Sequence, residues 1–89
     1  MYYVYVLQSE TDNNFYTGFT KDLKKRVEEH NSGISRATKA RIPLKLVYYE
    51  FCLNIKDAMK RERYLKTTWG KKYIKNRISN YLNETSKCT

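Results

Sequence analysis

The chain has 89 residues, a formal net charge of +9, and 40% hydrophobic and 15% aromatic side chains. That length allows one domain with a modest core, and the aromatic content excludes a disordered chain. Eighteen basic against nine acidic residues call for a polyanionic partner, nucleic acid before an anionic membrane surface.

No apolar run approaches the roughly 20 residues of a membrane span. The opening stretch MYYVYVLQS has no basic region and no A-x-A site, so no secretory leader is expected. The two cysteines, Cys52 and Cys88, stand at no metal-ligand spacing. They suit a reducing, cytoplasmic setting, with Cys52 as a small core residue.

Tyr2 to Leu7 or Gln8 is β-branched and aromatic and predicts a strand. Both of its faces are apolar, which places it centrally in a sheet. SETDNN is turn chemistry, and FYTGF predicts a second strand that closes an antiparallel hairpin. Gly18 inside that strand signals a bulge or a close backbone approach. A helix follows from near Lys21 or Asp22, capped by Thr20 or Asp22, and stops around Asn31. SGISRATKARIP is a basic loop ending at Pro43, and Leu44–Phe51 predicts a third strand whose direction is open. Asn54 and Asp57 mark the start of a helix from Ile55 to about Lys66. Gly70 is expected to break it, and a further helix is expected over Lys71 to Tyr81. Residues 1–82 read as a single domain, with 83–89 as a frayed tail. The order β-β-α-β-α-α predicts an α/β (α+β) layer arrangement, three short strands with helices packed around them.

Polar residues interrupt two apolar helical stripes. Leu23, Arg26, Val27 and His30 share one face. Ile55, Ala58 or Met59, Glu62, Leu65 and Trp69 share another. A carboxylate in such a stripe is costly unless it is paired or bound to a cation. Glu62 therefore belongs either to an ion pair, with Arg26 as its partner, or to a functional site. Arg26 can snorkel from a stripe edge, and a lone histidine is commonly a satisfied core residue. Together with Tyr5 and Tyr16 on paired strands, however, these groups suit phosphodiester chemistry. A guanidinium forks onto phosphoryl oxygens. Mg²⁺ keeps several waters and takes only one or two carboxylates. A phenol or imidazole orients or deprotonates a water. A free tyrosine titrates at about 10, so a tyrosine base needs positive charge beside it, which Arg26 and a metal supply. Whether the base is tyrosine or His30 is open at this level.

These residues resemble the GIY-YIG nuclease superfamily, more closely its small stand-alone, UPF0213-like members, and they also resemble the catalytic subunit of eukaryotic structure-specific endonucleases. Tyr3-Val4-Tyr5 stands at the first signature and Tyr16-Thr17-Gly18 at the second, with ten residues between Tyr5 and Tyr16. GFTKDLKKRVEEHNSG, the loop residues Thr38, Arg41 and Pro43, and AMKRERYLK follow in the family's order, so the resemblance runs from about Tyr2 to Trp69. Tyr3 replaces a frequent glycine, Thr17 an isoleucine, and Phe19 stands where some branches carry lysine. None of these changes removes a catalytic group.

The resemblance implies a small central three-stranded antiparallel sheet flanked by helices. It also implies a metal-dependent endonuclease that hydrolyses phosphodiester bonds in DNA, in repair or recombination, with Mg²⁺ or Mn²⁺ as cofactor. On that basis Tyr5 and Tyr16 position or deprotonate the water and Arg26 binds the scissile phosphate. His30 assists proton transfer or orientation, and Glu62 binds the metal. DNA stands ahead of RNA as the partner, and no membrane is expected. A non-catalytic nucleic-acid-binding module, or a subunit that needs a protein partner, are the alternatives. Half of the 18 basic residues lie between Lys56 and Arg77. Lys21, Lys25, Arg36, Lys39, Arg41, Arg61, Lys66, Lys71 and Lys72 are the candidate nucleic-acid contacts. With no recognition-helix signature, they read shape rather than bases.

Overall fold

The computed structural model describes residues 1–87. In chain order it contains β1 (Tyr2–Ser9), β2 (Phe15–Thr20), α1 (Leu23–Asn31), a 3₁₀ turn (Lys39–Arg41), β3 (Leu44–Cys52), α2 (Ile55–Leu65), α3 (Thr68–Arg77) and α4 (Ser79–Lys87). The strands form one antiparallel sheet in the order β2-β1-β3, so the expected central strand is central and β3 runs antiparallel to it. The α+β class and the expected element order hold as far as α3.

Strand alternation divides the core between the two sheet faces. Val4 and Val6 point to one face and meet Ala58 and Leu65 of α2 and Ile74 of α3. Tyr5 and Leu7 point to the other, where Leu44, Leu46 and Tyr16 join Leu23 and Val27 of α1. Each fully buried Leu, Ile or Val contributes about 1.5–3 kcal/mol. Cys52 lies half-buried against the first cluster with its thiol free, and Cys88 lies outside the described residues.

Both expected N-caps form. The Asp22 side chain accepts from Lys25 N at 3.1 Å, and the Asn54 side chain accepts from Lys56 N at 2.8 Å. Register fixes the hairpin, with Tyr5 opposite Gly18 and Leu7 opposite Tyr16. The sheet's irregularity falls between Val6 and Leu7, against β3, and not at Gly18.

Three expectations about the second half are corrected. Gly70 does not break a helix; it is buried inside α3. The break comes earlier, where the Thr67 hydroxyl accepts from Gly70 N at 3.1 Å and starts α3 afresh. Glycine is required because α3 crosses the end of α2 so closely that a Cβ there runs into the Tyr64 carbonyl oxygen and sits 2.5 Å from Leu65 Cα. The single helix expected over 71–81 is two, divided at Ile78, and α4 continues to Lys87. Trp69 leaves the α2 stripe altogether: it belongs to α3, is 72% exposed, and carries Lys72 Nζ 5.1 Å from its ring centre.

One clamp sets α2 against the sheet. Arg61 Nε and Nη2 donate to the Glu50 carboxylate of β3 at 2.8–3.1 Å. The guanidinium lies over the rings of Tyr64 and Tyr73, at 5.2 and 4.9 Å. This fixes the rotation of α2, and with it the direction of the neighbouring Glu62.

Candidate active site

The site begins with the absence of a side chain. Tyr5 faces Gly18 across the β1–β2 ladder, and its ring lies over that glycine. A Cβ at position 18 would stand 2.5 Å from the Tyr5 hydroxyl and 2.7 Å from Cζ. The phenol therefore reaches across the edge strand while Tyr5 stays only 1% exposed. The expected close approach at Gly18 is thus made by a side chain.

Helix α1 supplies the next groups, since residues four apart share its inner face. His30 is fully buried, and its Nε2 is hydrogen bonded to the Tyr5 hydroxyl at 2.8 Å. Its Nδ1 is hydrogen bonded to Thr38 Oγ1, also fully buried, at 2.7 Å. The rings of Tyr5 and Tyr16 both meet the imidazole edge-on, at 5.7 and 5.1 Å. Arg26, one turn earlier, faces the Tyr5 hydroxyl and donates from Nη1 to Glu29 Oε1 at 3.1 Å.

The surroundings hold these groups still. The Asn31 side chain brackets the backbone of Leu44, donating to its carbonyl and accepting from its N–H, both at 2.7 Å. That pins the end of α1 to the start of β3. The loop carrying Thr38 is strapped to the β1–β2 turn. Ser9 Oγ donates to Arg41 O at 2.5 Å, Thr11 Oγ1 donates to Ile42 O at 2.9 Å, and Arg41 Nε donates to Asp12 at 2.9 Å.

These environments fix the protonation states. Burial raises the Tyr5 pKa, and the opposing pull of Arg26 does not overcome it. Arg26 alone therefore does not provide the ionised phenol that a tyrosine base requires. Burial, and then the Arg26 charge, push His30 below its ordinary value, so the imidazole rests neutral. The interaction with Tyr5 holds Arg26 above its ordinary value against its own burial. A guanidinium only donates, so any bond it makes to the Tyr5 oxygen is one that oxygen accepts. Both ring nitrogens of His30 are thus hydrogen bonded, Nε2 to Tyr5 and Nδ1 to Thr38.

Glu62 comes from the opposite layer, on α2, with its side chain 20% exposed. Its charge is the smallest of the influences that raise the Tyr5 pKa. The ion pair offered by the sequence, Glu62 with Arg26, does not form. Each pairs along its own helix instead, Glu62 with Lys66 at 3.5 Å and Arg26 with Glu29. Tyr5, Tyr16, Arg26 and His30 are thus gathered by direct contacts, whereas the partner of Glu62 is Lys66 on its own helix. No cluster of three or more His, Cys, Asp or Glu occurs among the described residues. Glu62 with the waters and phosphate of a substrate still meets the modest demand of Mg²⁺ for one or two carboxylates, so the donor set fits such an ion.

The basic candidates separate into two groups. Arg41 and Arg61 are engaged by Asp12 and Glu50, and Lys66 by Glu62. Lys21, Lys25, Arg36, Lys39, Lys71 and Lys72 are exposed and make no ion pair among the described residues. The residue that sequence reasoning missed is Thr38 as the partner of His30. It lies eight positions downstream in a loop, where no periodicity marks it.

An antiparallel three-stranded sheet whose tyrosines, on paired strands, meet an Arg/His helix is the arrangement of a GIY-YIG nuclease domain. The family model described as the GIY-YIG catalytic domain matches residues 1–74. A UPF0213 protein of Clostridium perfringens (strain 13 / Type A) is 46% identical over 67 residues, covering 74% of this chain and 71% of that protein. A UPF0213 protein of Staphylococcus saprophyticus is 39% identical over 75 residues, covering 83% of this chain and 90% of its own. Another, of Syntrophus aciditrophicus (strain SB), is 42% identical over 66 residues, covering 72% and 75%. No solved structure matches the chain. The chain belongs to the GIY-YIG family of nuclease domains, and its relatives are small UPF0213 proteins. No helix among the described residues is long and apolar enough to cross a membrane.

Proposed function

We propose that this protein is a metal-dependent endonuclease that hydrolyses phosphodiester bonds in DNA, in repair or recombination, in the cytoplasm. The observation that carries the reading is the buried relay from Tyr5 through His30 to Thr38, with Arg26 beside its outer end. A neutral, fully buried histidine with both nitrogens partnered is a proton acceptor held in one tautomer.

The substrate phosphate draws the Arg26 guanidinium away from Glu29 and takes its donors. Arg26 then neutralises charge that builds on the phosphoryl oxygens as the water attacks. Tyr5 takes the proton of the attacking water as its own hydroxyl proton passes to His30 Nε2, so the phenol never ionises fully. Thr38 accepts from Nδ1–H and stabilises the imidazolium that results. Tyr16, packed on the imidazole edge, keeps the ring in line and borders the water's position. Glu62 would hold Mg²⁺ or Mn²⁺, which would supply charge stabilisation for the developing transition state and would acidify a bound water. The exposed lysines attract the DNA backbone without reading its bases.

The test is a panel of duplex, flap, junction and single-stranded DNAs, with RNA counterparts, incubated with and without divalent metal. Cleavage is expected only with metal. Arg26→Ala and Glu62→Gln are each expected to lose at least about a hundredfold in rate, the scale of removing one charge-stabilising donor, with the fold intact by circular dichroism. Metal-independent cutting, or variants as fast as the parent, overturns the site. Binding without cleavage under every metal leaves a nucleic-acid-binding module, and cleavage that appears only with an added protein leaves a partner-dependent subunit.

A further inference from the structure

A second basic feature lies beyond the catalytic groups. The β1–β2 turn, the loop before β3 and one side of α3 enclose a polar cavity of about 410 Å³, lined by Asp12, Phe15, Arg41, Lys71 and Lys75 among others. Three cations face one carboxylate, and that carboxylate is already engaged by Arg41 at 2.9 Å. Lys71 and Lys75 are exposed and have no ion-pair partner among the described residues.

The walls are fixed before any ligand arrives. Arg41 is held by Asp12 and by Phe15 O, to which Nη2 donates at 3.4 Å, and its own carbonyl accepts from the buried Ser9. Gly70 seats α3 against α2 and Ile74 anchors it in the core. Lys71 and Lys75, one helical turn apart on either side of Ile74, are thereby directed at the turn.

We propose that this cavity is a phosphate-binding pocket for the substrate backbone, distinct from the place of cutting and a few nucleotides along the same strand. The proposal rests on the nucleolytic reading above. Phe15 in the cavity wall and Gly18 beneath the Tyr5 hydroxyl are three residues apart on β2, about 10 Å at roughly 3.4 Å per residue. A duplex strand winds around its axis as well as advancing about 3.4 Å along it per nucleotide, so a separation on this scale puts the pocket within a few nucleotide steps of the scissile phosphate. The strand then runs along the β2 edge. Lys71 and Lys75 act as point charges on its phosphate, and Arg41 holds the wall and adds to the field. Such a contact fixes direction and register without selecting sequence.

The test uses Lys71→Gln/Lys75→Gln and, as a control with equal charge loss on exposed α2 positions, Lys56→Gln/Lys60→Gln. Fluorescence anisotropy with labelled duplex and single-stranded DNA is read across salt. The pocket variant is expected to bind about tenfold more weakly at about 100 mM salt, with its log–log salt slope reduced by about 0.9 for the lost phosphate. The control is expected to change neither by as much. Single methylphosphonate substitutions scanned along the strand should weaken the parent at one position and leave the pocket variant unaffected there. Equal losses in variant and control, or the same sensitive position in parent and pocket variant, overturn the proposal. With divalent metal, the pocket variant should keep kcat at saturating DNA and show a raised KM. If no DNA is cut but the binding differences hold, the nuclease reading fails and the pocket stands. If cutting is intact and the pocket variant binds like the parent, the pocket falls alone.

Discussion

Gly18→Ala is the substitution on which the site's construction can be judged. The added Cβ stands 2.5 Å from the Tyr5 hydroxyl, 2.7 Å from Cζ and 3.2 Å from Cε2, so the phenol must move. It has no free space to move into, being 1% exposed among Leu7, Leu44, Leu23 and Val27. Overpacking of this kind costs about 1–3 kcal/mol. Displacing the hydroxyl also strips buried His30 of its Nε2 partner, at about 1–3 kcal/mol. The stiffer unfolded chain returns about 0.4–1 kcal/mol. The net expectation is a loss of about 1–5.5 kcal/mol, against a total of about 5–13 for a domain of this size. Urea unfolding followed by far-UV circular dichroism measures the loss, and cleavage of the best DNA substrate should fall below detection. Adding Tyr5→Phe removes the nearest atom but leaves Cζ, so the double variant should regain about 1 kcal/mol and no activity. A Gly18→Ala protein within about 0.5 kcal/mol of the parent and cutting at its rate would refute the reasoning, because the phenol would then not need to cross the edge strand.

Three further outcomes follow from the same contacts. Gly70→Ala meets backbone rather than a side-chain tip, at Tyr64 O and Leu65 Cα, so neither helix can yield locally; urea unfolding should show a loss of at least about 3 kcal/mol, or no cooperative transition. Thr38→Val keeps the volume but leaves His30 Nδ1 without a partner, which should cost about 1–3 kcal/mol and lower the cutting rate, while Thr38→Ser restores both; equal rates in the two variants would remove Thr38 from the relay. His30 is held below its ordinary value of 6.5 by burial and then by Arg26. The unfolded chain therefore takes up the proton first as pH falls, so stability is full above about 6.5 and is lost as pH drops toward the lowered folded value. Thermal unfolding between pH 8 and 4 should show that slope, and His30→Gln should flatten it. Asp12, depressed chiefly by the Asn14 N–H and then by Arg41, acts only below about 3.8 and leaves this window clear.

The parts of this molecule that were legible in its sequence are those decided within a few residues. β1 is apolar on both faces because it lies between two strands and two helical layers, and its composition records both. Asp22 and Asn54 cap helices because the groups they satisfy are two and three positions away. Arg26 and His30 share an inner face because helical spacing puts them there, whatever they do. Gly70 was misread for a physical reason: a glycine that ends a helix and one that lets two helices cross look the same locally, and only the Tyr64 and Leu65 backbone tells them apart. Trp69 followed the stripe in number but not in space, because Thr67 restarts the helix on a new axis.

The proposed catalytic groups show the same division at a finer scale. Glu62 had two partners on offer, Arg26 on another helix and Lys66 four residues on, and the nearer one took it with a long 3.5 Å contact. A pair that loose on the surface of one helix is worth only tenths of a kcal/mol, so it yields readily to a cation. Arg26 is likewise held by Glu29 across a single turn. Both charged groups are thus kept in place by weak, local, exchangeable contacts, while the neutral groups between them, Tyr5, His30 and Thr38, are locked by buried hydrogen bonds of 2.7–2.8 Å. On the proposed mechanism, the rigid part is the path of the proton, and the exchangeable part is what meets the phosphate and the metal. On that mechanism a substrate displaces Glu29 and Lys66 from the outer groups while the buried Tyr5–His30–Thr38 hydrogen bonds stay in place.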